Sequence, residues 1–394
     1  MKTLESFDVR QKRVLVRCDF NVPLGYEGKW AKRASPSSLS TRAAAKGEEE
    51  DLSSSPTRVA TKDRKEIYLF DSFPKEMKIL DDFRIRETLP TINYLIEKEA
   101  KVILMSHLGR PEGRVVRKLR LTPIQDRLME YLDLSIVKAE DCVGKEIEKW
   151  THEMQPGEIL LLENLRFHKE EEENDDGFAQ NLAKLADIYI NDAFGASHRN
   201  HASIVGVPKY LPAGAGFLLE KEIKILTQLM ENSQKPLIAI IGGAKVEEKA
   251  KLINKISEVA DFILIGGLIK REIEAKNIKL KYPQKSIKPI DEIEGKDIGP
   301  KTVELFKEKI FSAKTIFFNG VLGMTEKEEF SQGTEEILKA IAKSKSFSVI
   351  GGGDMTQVIN KLGLVDKFSH ISTGGGAMLE FLSGEKLPGI EVLG

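Results

Sequence analysis

The stretch Ser348-Val349-Ile350-Gly351-Gly352-Gly353-Asp354-Met355-Thr356-Gln357-Val358-Ile359 constrains the fold more than any other: an apolar strand, a triple glycine, an acid, then residues at helical spacing. Glycines between a buried strand and a helix start let main-chain N–H groups converge on a phosphate with no Cβ in the way. The helix dipole adds positive potential at the same point. Asp354 then offers a carboxylate to Mg²⁺. A glycine run alone serves equally well as a tight turn, so the reading depends on what the other strand ends carry.

The same plan recurs along the chain. In the first half, strands are expected at Arg13 to Val16, Lys101 to Met105, Ile159 to Leu162 and Asp187 to Ile190, with the segment Asp81 to Arg86 followed by a helix through Leu95. They run into Arg17-Cys18-Asp19 and Asn21, into Ser106-His107-Leu108-Gly109-Arg110, into Asn164-Leu165-Arg166-Phe167-His168, and into Ser197-His198-Arg199-Asn200-His201. Strand, charged loop and helix in repetition predict a doubly wound parallel sheet of the α/β class, whose ligands sit beyond the carboxyl ends of the strands. Any single arginine is more simply a solvated surface residue. Arg84, Arg110, Arg166 and Arg199 in one topological position favour a small, highly anionic ligand, because guanidinium presents a fork of donors to phosphate and carboxylate oxygens.

Beyond Val207 to Glu222, read as a Pro- and Gly-containing connector that enters a helix, the loop chemistry changes. Strands at Pro236 to Ile241, Asp261 to Ile265, Thr315 to Phe318, Ser348 to Ile350 and Phe368 to Ser372 end in glycine. The first of them is followed by Lys245 and Lys249. Amide-lined loops beside a mobile lysine suit a nucleotide polyphosphate. Two lobes with different anion receptors predict phosphoryl transfer across a cleft that closes on a hinge, with no covalent nucleophile required.

Composition narrows the alternatives. The 394 residues carry a net charge of −1, which gives no bulk case for nucleic acid, and 41% hydrophobic content describes an ordinary globular protein. No apolar run approaches the ~20 residues of a membrane span. The start lacks the apolar core of a signal peptide, so the cytoplasm is the expected compartment. Cys18 and Cys142 are expected to make neither a disulfide framework nor a metal cluster. There is no GxxxxGK[ST] loop, no HRD and DFG pair and no G-x-G-x-x-G after a first strand, which argues against P-loop enzymes, protein kinases and nicotinamide enzymes.

The segments RVLVRCDFNVP, DDFRIRETLPTI, MSHLGRPEG, LLENLRFHKEEE, NDAFGASHRNHAS, GFLLEKE, GGAKVEEK, DIGPKT, VIGGGD and SHISTGGGAMLE, in this order, resemble phosphoglycerate kinase over nearly the whole chain. The resemblance implies a glycolytic kinase that moves a phosphoryl group reversibly between 1,3-bisphosphoglycerate and ADP, giving 3-phosphoglycerate and ATP, with Mg²⁺ as cofactor. It implies that Asp19, Asn21, Arg84, His107, Leu108, Gly109, Arg110, Arg166 and Arg199 bind the phosphoglycerate. Arg84, Lys245, Gly352 and Gly375 would act on the moving group. Lys249, Gly299, Glu326, Gly352, Gly353, Asp354 and Met355 would hold the nucleotide, with Asp354 serving the metal. A monomer with no nucleic-acid or membrane partner is expected. The alternative is a catalytically impaired relative that binds phosphoglycerate or a protein partner.

The expected units are a phosphoglycerate-binding domain over 1–208, a nucleotide-binding domain over 209–381, and a segment over 382–394 that returns to the first domain. A Ser-, Ala- and charge-rich insertion occupies about 25–75, with a short ordered piece expected at Glu66 to Phe70. Against the family pattern, the insertion replaces a short link. Gly266 to Asp297 is shortened where a helix and strand usually shape the adenine pocket. Met355 stands in place of a Ser or Thr, and Val321 in place of a proline.

Overall fold

The computed structural model describes residues 1–25 and 77–394; the insertion and the piece expected at Glu66 to Phe70 lie outside the described residues. The strands are β1 (Arg13–Cys18), β2 (Leu24–Gly25), β3 (Lys78–Ile79), β4 (Lys101–Met105), β5 (Ile136–Lys138), β6 (Ile159–Leu161), β7 (Ile188–Asp192), β8 (Ala213–Ala215), β9 (Leu237–Ile241), β10 (Phe262–Ile265), β11 (Ser286–Ile287), β12 (Glu292–Ile293), β13 (Asp297–Ile298), β14 (Thr315–Asn319), β15 (Phe347–Gly351) and β16 (His370–Ile371). The helices are α1 (Phe83–Glu97), α2 (Thr122–Leu132), α3 (Lys145–Glu153), α4 (Lys169–Glu173), α5 (Asp176–Ala183), α6 (Phe217–Glu231), α7 (Val246–Ile256), α8 (Gly267–Ala275), α9 (Pro300–Ser312), α10 (Gln332–Lys343), α11 (Gly353–Leu362), α12 (Gly375–Leu382) and α13 (Pro388–Glu391).

Two sheets of six strands form, in the orders β5-β6-β4-β1-β7-β8 and β11-β10-β9-β14-β15-β16, with every neighbouring pair parallel. The reason is visible in the strands themselves. Val14, Leu15 and Val16 are all fully buried, as are Ile238, Ala239 and Ile240, so both faces of each central strand need covering helices. The chain order reverses at β1 in the first sheet and between β9 and β14 in the second, and each reversal opens a crevice beyond the strand ends.

The expected boundary at 208 falls too early. The Ala213–Ala215 strand pairs with β7, Tyr189 opposite Ala213, so the first sheet continues to the start of α6. Strands β5, β8 and β11 were not legible because they are short edge strands, and Ala213-Gly214-Ala215 has no β-branched residue to mark it. Near the end of the chain, Gly389 N–H donates to Ser197 O at 2.9 Å, and Asn191 Nδ2 donates to Gly389 O at 3.0 Å.

Helix α6 joins the two lobes, and Leu219, Leu226 and Leu229 on it lie in one apolar cluster with Leu15 and Ile103 of the first lobe and Leu237 and Phe317 of the second. At its N-terminus, Asp192 from the end of β7 accepts from Leu218 N–H at 2.9 Å and Leu219 N–H at 3.2 Å, a capping arrangement that locks the helix to the first sheet. Phe83 is buried in the apolar cluster of the second lobe, while the next residue, Arg84, donates to Asp19 and to Asn21 O of the first. Among the described residues no helix is long and apolar enough to cross a membrane.

Candidate functional site: two anion receptors at facing sheet ends

The first receptor is built on the loops after β1, β4, β6 and β7. Asp19 is almost fully buried, and its Oδ2 accepts from Arg84 Nη1 at 2.9 Å while its Oδ1 accepts from Asn21 N–H at 3.2 Å. Asn21 Oδ1 accepts from Gly109 N–H at 2.9 Å, and Arg166 Nη1 donates to Gly109 O at 2.9 Å. Gly109 has φ +65°, and a Cβ there would meet Leu119 at 2.8 Å, so only glycine lets this turn offer both main-chain groups. Leu108 is buried beneath it. Arg110 is exposed and, among the described residues, forms no ion pair.

Histidines report how close the guanidiniums stand. His107 is held well below its ordinary pKa by burial, then by Arg166, Arg17 and Arg84. His201 is pushed down to about 3 by burial, Arg166, Arg17 and Arg199, and His198 to about 4 by burial and Arg199, with Lys245 adding. Burial does most to keep these imidazoles neutral, and the neighbouring guanidiniums push in the same direction. Arg166 Nε and His201 Nδ1 are buried without a hydrogen-bond partner, and the nearest carboxylate oxygens, on Glu172 and Glu171, stand at 3.3 and 3.8 Å. Unpaired donors and excess cation in one pocket fit an anionic ligand.

Several supporting residues were not singled out from the sequence. Asn164 bonds Leu108 N–H, Leu108 O, Leu119 O and Arg166 N–H, tying the His107 loop to the Arg166 loop. Arg17 is fully buried; its Nε donates to Ser203 Oγ at 2.8 Å and its Nη2 lies 3.2 Å from His107 Nδ1. In sequence, Arg17 at the end of an apolar strand and Asn164 just beyond one carry no mark of these contacts.

The second receptor differs from what its glycines promised. Gly242 N–H donates to Asn319 O at 2.9 Å and Gly243 N–H to Val321 O at 2.7 Å, while Gly266 N–H donates to Ile241 O at 2.8 Å. A Cβ on Gly242 would sit 2.3 Å from Val321 O. These glycines permit close packing of β9 on the β14 loop and offer no free amides there. Gly299 is likewise buried, with its N–H donated to Asp291 O and its carbonyl accepting from Val303 N–H. Met355 is a core residue: its side chain is fully buried in the apolar cluster with Ile350 and Ile359, because the first turn of α11 faces it inward. Its replacement of a hydroxyl therefore touches packing, not the open face.

What remains for a polyphosphate is concentrated at two helix starts. Gly353 and Asp354 stand in the first turn of α11, Gly375 and Gly376 in the first turn of α12, and a Cβ on Gly375 would lie 3.8 Å from both Gly352 Cα and Gly353 N. First-turn N–H groups have no partner within their own helix. Lys249 is buried beside them and donates to Asn319 Oδ1, while Asn319 Nδ2 is left without a partner. Asp354 is exposed, and its carboxyl is raised by desolvation and by the neighbouring Glu326 carboxylate, with Lys249 opposing.

Lys249 supplies a pH prediction. Burial brings its ammonium down to about 8, with Lys245 adding and Glu248 and Asp354 opposing. Above that value the site loses a cation, so affinity for a polyphosphate anion is expected to fall several-fold between roughly pH 7 and pH 9, with proton uptake on binding at the upper end. Calorimetry in buffers of different ionisation enthalpy checks this; affinity constant across that range would exclude a charge role for Lys249.

The two receptors face one another. Lys245 caps α7 in the left-handed region, φ 59°, a conformation a lysine adopts only where the surrounding turn imposes it. It shares with Arg199, His198, Gly376 and Glu380 a cavity of about 280 Å³ that opens between the lobes. A Cβ on Gly195 would strike Asp19 Oδ2 at 2.4 Å and Thr373 O at 3.2 Å, so the β7 loop touches both receptors. Glu222 on α6 is fully buried, receives Thr373 N–H at 2.6 Å and Thr373 Oγ1 at 2.8 Å, and lies 2.8 Å from His370 Nε2. This couples the connecting helix to the loop that leads into α12. Glu222→Ala is expected to cost about 3–5 kcal/mol, because it strands those partners in a dry interior. The urea midpoint reads this; a loss under about 0.5 kcal/mol would show the contact to be incidental.

Comparison with known proteins agrees with this geometry. The phosphoglycerate kinase family model matches residues 70–280 and 269–385, and the seam at 269–280 falls in the stretch read as shortened. The chain is 42% identical to the phosphoglycerate kinase of Dictyoglomus turgidum, covering 99% of this chain and 97% of the relative. That alignment spans 437 positions, more than the 394 residues here, so the relative carries residues this chain lacks. Identity to the phosphoglycerate kinase of Leptospira biflexa is 44%, over 80% of this chain and 91% of the relative. Among solved structures, the phosphoglycerate kinase of Pyrococcus horikoshii OT3 superposes with a TM-score of 0.78 at 31% identity, covering 100% of this chain and 98% of that one. With two parallel-sheet lobes and similarity of this extent over the whole chain, the chain belongs to the phosphoglycerate kinase family.

Proposed function

We propose that the chain is a working phosphoglycerate kinase, transferring a phosphoryl group in line between the acyl phosphate of 1,3-bisphosphoglycerate and ADP, to give 3-phosphoglycerate and ATP, as a monomeric cytoplasmic enzyme of glycolysis. The observation that carries the reading is the pairing of a cation-rich pocket on Arg84, Arg166 and His107 with two abutting helix starts at Gly353 and Gly375 on the other lobe. The first suits a phosphate and a carboxylate, the second a polyphosphate.

In this assignment Asp19, Asn21, His107, Arg110, Arg166 and Arg199 hold phosphoglycerate. Asp19 also fixes the Arg84 guanidinium by the 2.9 Å contact. Arg84 and Lys245 meet the charge that develops on the phosphoryl oxygens and on the departing carboxylate, and the α11 and α12 amides complete that cage. Closure about α6 brings the lobes together and excludes water.

The donor set fits Mg²⁺. The ion is commonly held by one or two carboxylates together with substrate phosphates, and Asp354, with Glu326 close enough to raise it, stands at the phosphate-facing helix start. When bound with nucleotide, the ion supplies charge neutralisation on the phosphate chain.

Calorimetry separates this reading from an impaired phosphoglycerate-binding relative. The account expects separate binding of 3-phosphoglycerate and MgATP, with Arg166→Ala weakening the first by about 100-fold and leaving the second within about twofold. Tight phosphoglycerate binding with no nucleotide binding would favour the relative.

A further inference from the structure

Away from the receptors, the loop after edge strand β5 and the loop after β6 bring three unlike donors together. Asp141, Cys142 and His168 place a carboxylate oxygen, a thiol sulfur and an imidazole nitrogen all within 4.8 Å of one another. His168 Nε2 lies 2.6 Å from Asp141 Oδ1, which also accepts the Cys142 N–H at 2.7 Å. Cys142 is a free thiol, fully buried, whereas Asp141 is exposed and His168 half-buried, so the trio has a closed sulfur side and an open oxygen side.

Packing explains the sulfur alone, and a surface ion pair explains the histidine and aspartate alone. Neither explains why all three converge from two loops. We infer that Asp141, Cys142 and His168 form a binding site for a borderline-soft divalent cation such as Zn²⁺, with solvent in the fourth position on the Asp141 side.

The geometry needs little adjustment. Metal bonds of about 2.0–2.3 Å in a tetrahedron put neighbouring ligand atoms roughly 3.3–3.6 Å apart. The His168–Asp141 contact therefore opens by about 1 Å, and the sulfur, within 4.8 Å of both, closes by at most about 1.5 Å. A thiolate and an imidazole select Zn²⁺ or Co²⁺ over Mg²⁺, which prefers all-oxygen octahedral sets. On uptake the Cys142 thiol loses its proton to solvent as the sulfur–metal bond forms, and any proton on His168 Nε2 leaves likewise.

Occupancy would staple the edge loop to the segment that carries Arg166, because His168 lies two residues beyond that arginine and precedes α4, whose Glu172 faces Arg166 Nε at 3.3 Å. The phosphoglycerate receptor would then gain a clamp on one wall.

The test uses the full chain, freed of metal with a chelator and titrated with Co²⁺. The expected result is one Co²⁺ per chain with a thiolate-to-cobalt charge-transfer band, displaced by Zn²⁺ and untouched by Mg²⁺. Cys142→Ser removes the band, and His168→Gln weakens Co²⁺ binding at least about tenfold. Asp141→Asn, at an exposed position, serves if Cys142→Ser does not fold, and is expected to weaken binding by a similar factor. No charge-transfer band, a band that survives Cys142→Ser, or affinity unchanged in both His168→Gln and Asp141→Asn would overturn the site.

Discussion

Lys245→Ala is expected to lower kcat by about 10²–10³ while leaving the Kd for 3-phosphoglycerate within about twofold. The side chain stands at the start of α7 on the lobe opposite the arginines, and its only partner among the described residues is Glu248 at 3.3 Å on its own helix. It therefore contributes little to ground-state binding on the first lobe. Its ammonium shares the interlobe cavity with Arg199 and is felt by His198, which supports the proposal that it acts where charge builds up during transfer. An interaction made mainly in the transition state lowers kcat and kcat/KM together when it is removed. Steady-state kinetics paired with calorimetry decide it: equal losses in turnover and in phosphoglycerate affinity would place Lys245 in ground-state binding instead.

Arg84→Ala should do more damage, and of two kinds. It removes the guanidinium proposed to meet the moving phosphoryl group, with an expected loss of about 10³ or more in kcat/KM. It also leaves the Asp19 carboxylate, almost fully buried, without its 2.9 Å partner, at a cost of about 1–3 kcal/mol in stability. Arg84→Lys separates the two effects. The charge that satisfies Asp19 returns, but a single ammonium cannot hold Asp19, the Asn21 carbonyl and a phosphoryl oxygen in one plane. Stability should recover while most of the rate loss persists. If Arg84→Lys restored turnover to within about threefold, the planar fork would not matter and the positioning argument for Asp19 would fail.

The sequence made the architecture legible because parallel sheets bury both faces of their strands. Runs such as Val14-Leu15-Val16 and Ile238-Ala239-Ile240 stand out from the charged loops that follow them. Short edge strands such as Ala213–Ala215 carry no such contrast, and that moved the lobe boundary past 208. The arginine receptor was legible for a related reason: guanidiniums placed after successive strands of a parallel sheet have one edge to share. The glycine receptor was only half legible. A glycine that frees an amide for a ligand and one that lets two backbones touch look alike in sequence, and Gly242, Gly243 and Gly266 prove to be the second kind. Met355 misled for a similar reason, since helix phase decides whether a residue after the glycine turn faces phosphate or core. Buried supports such as Asn164, Arg17 and Glu222 were hidden because their importance lies in contacts between distant loops.

The central claim is that cations on one lobe and helix-start amides on the other grip two anions and pass a phosphoryl group between them. Steady-state turnover of the intact 394-residue chain with 3-phosphoglycerate and MgATP, read through a coupled dehydrogenase, tests it most directly. The account predicts saturable turnover in both substrates, on the order of 10–10³ s⁻¹, lost in Lys245→Ala and Arg84→Ala. A folded sample that binds both substrates yet turns over neither would contradict it.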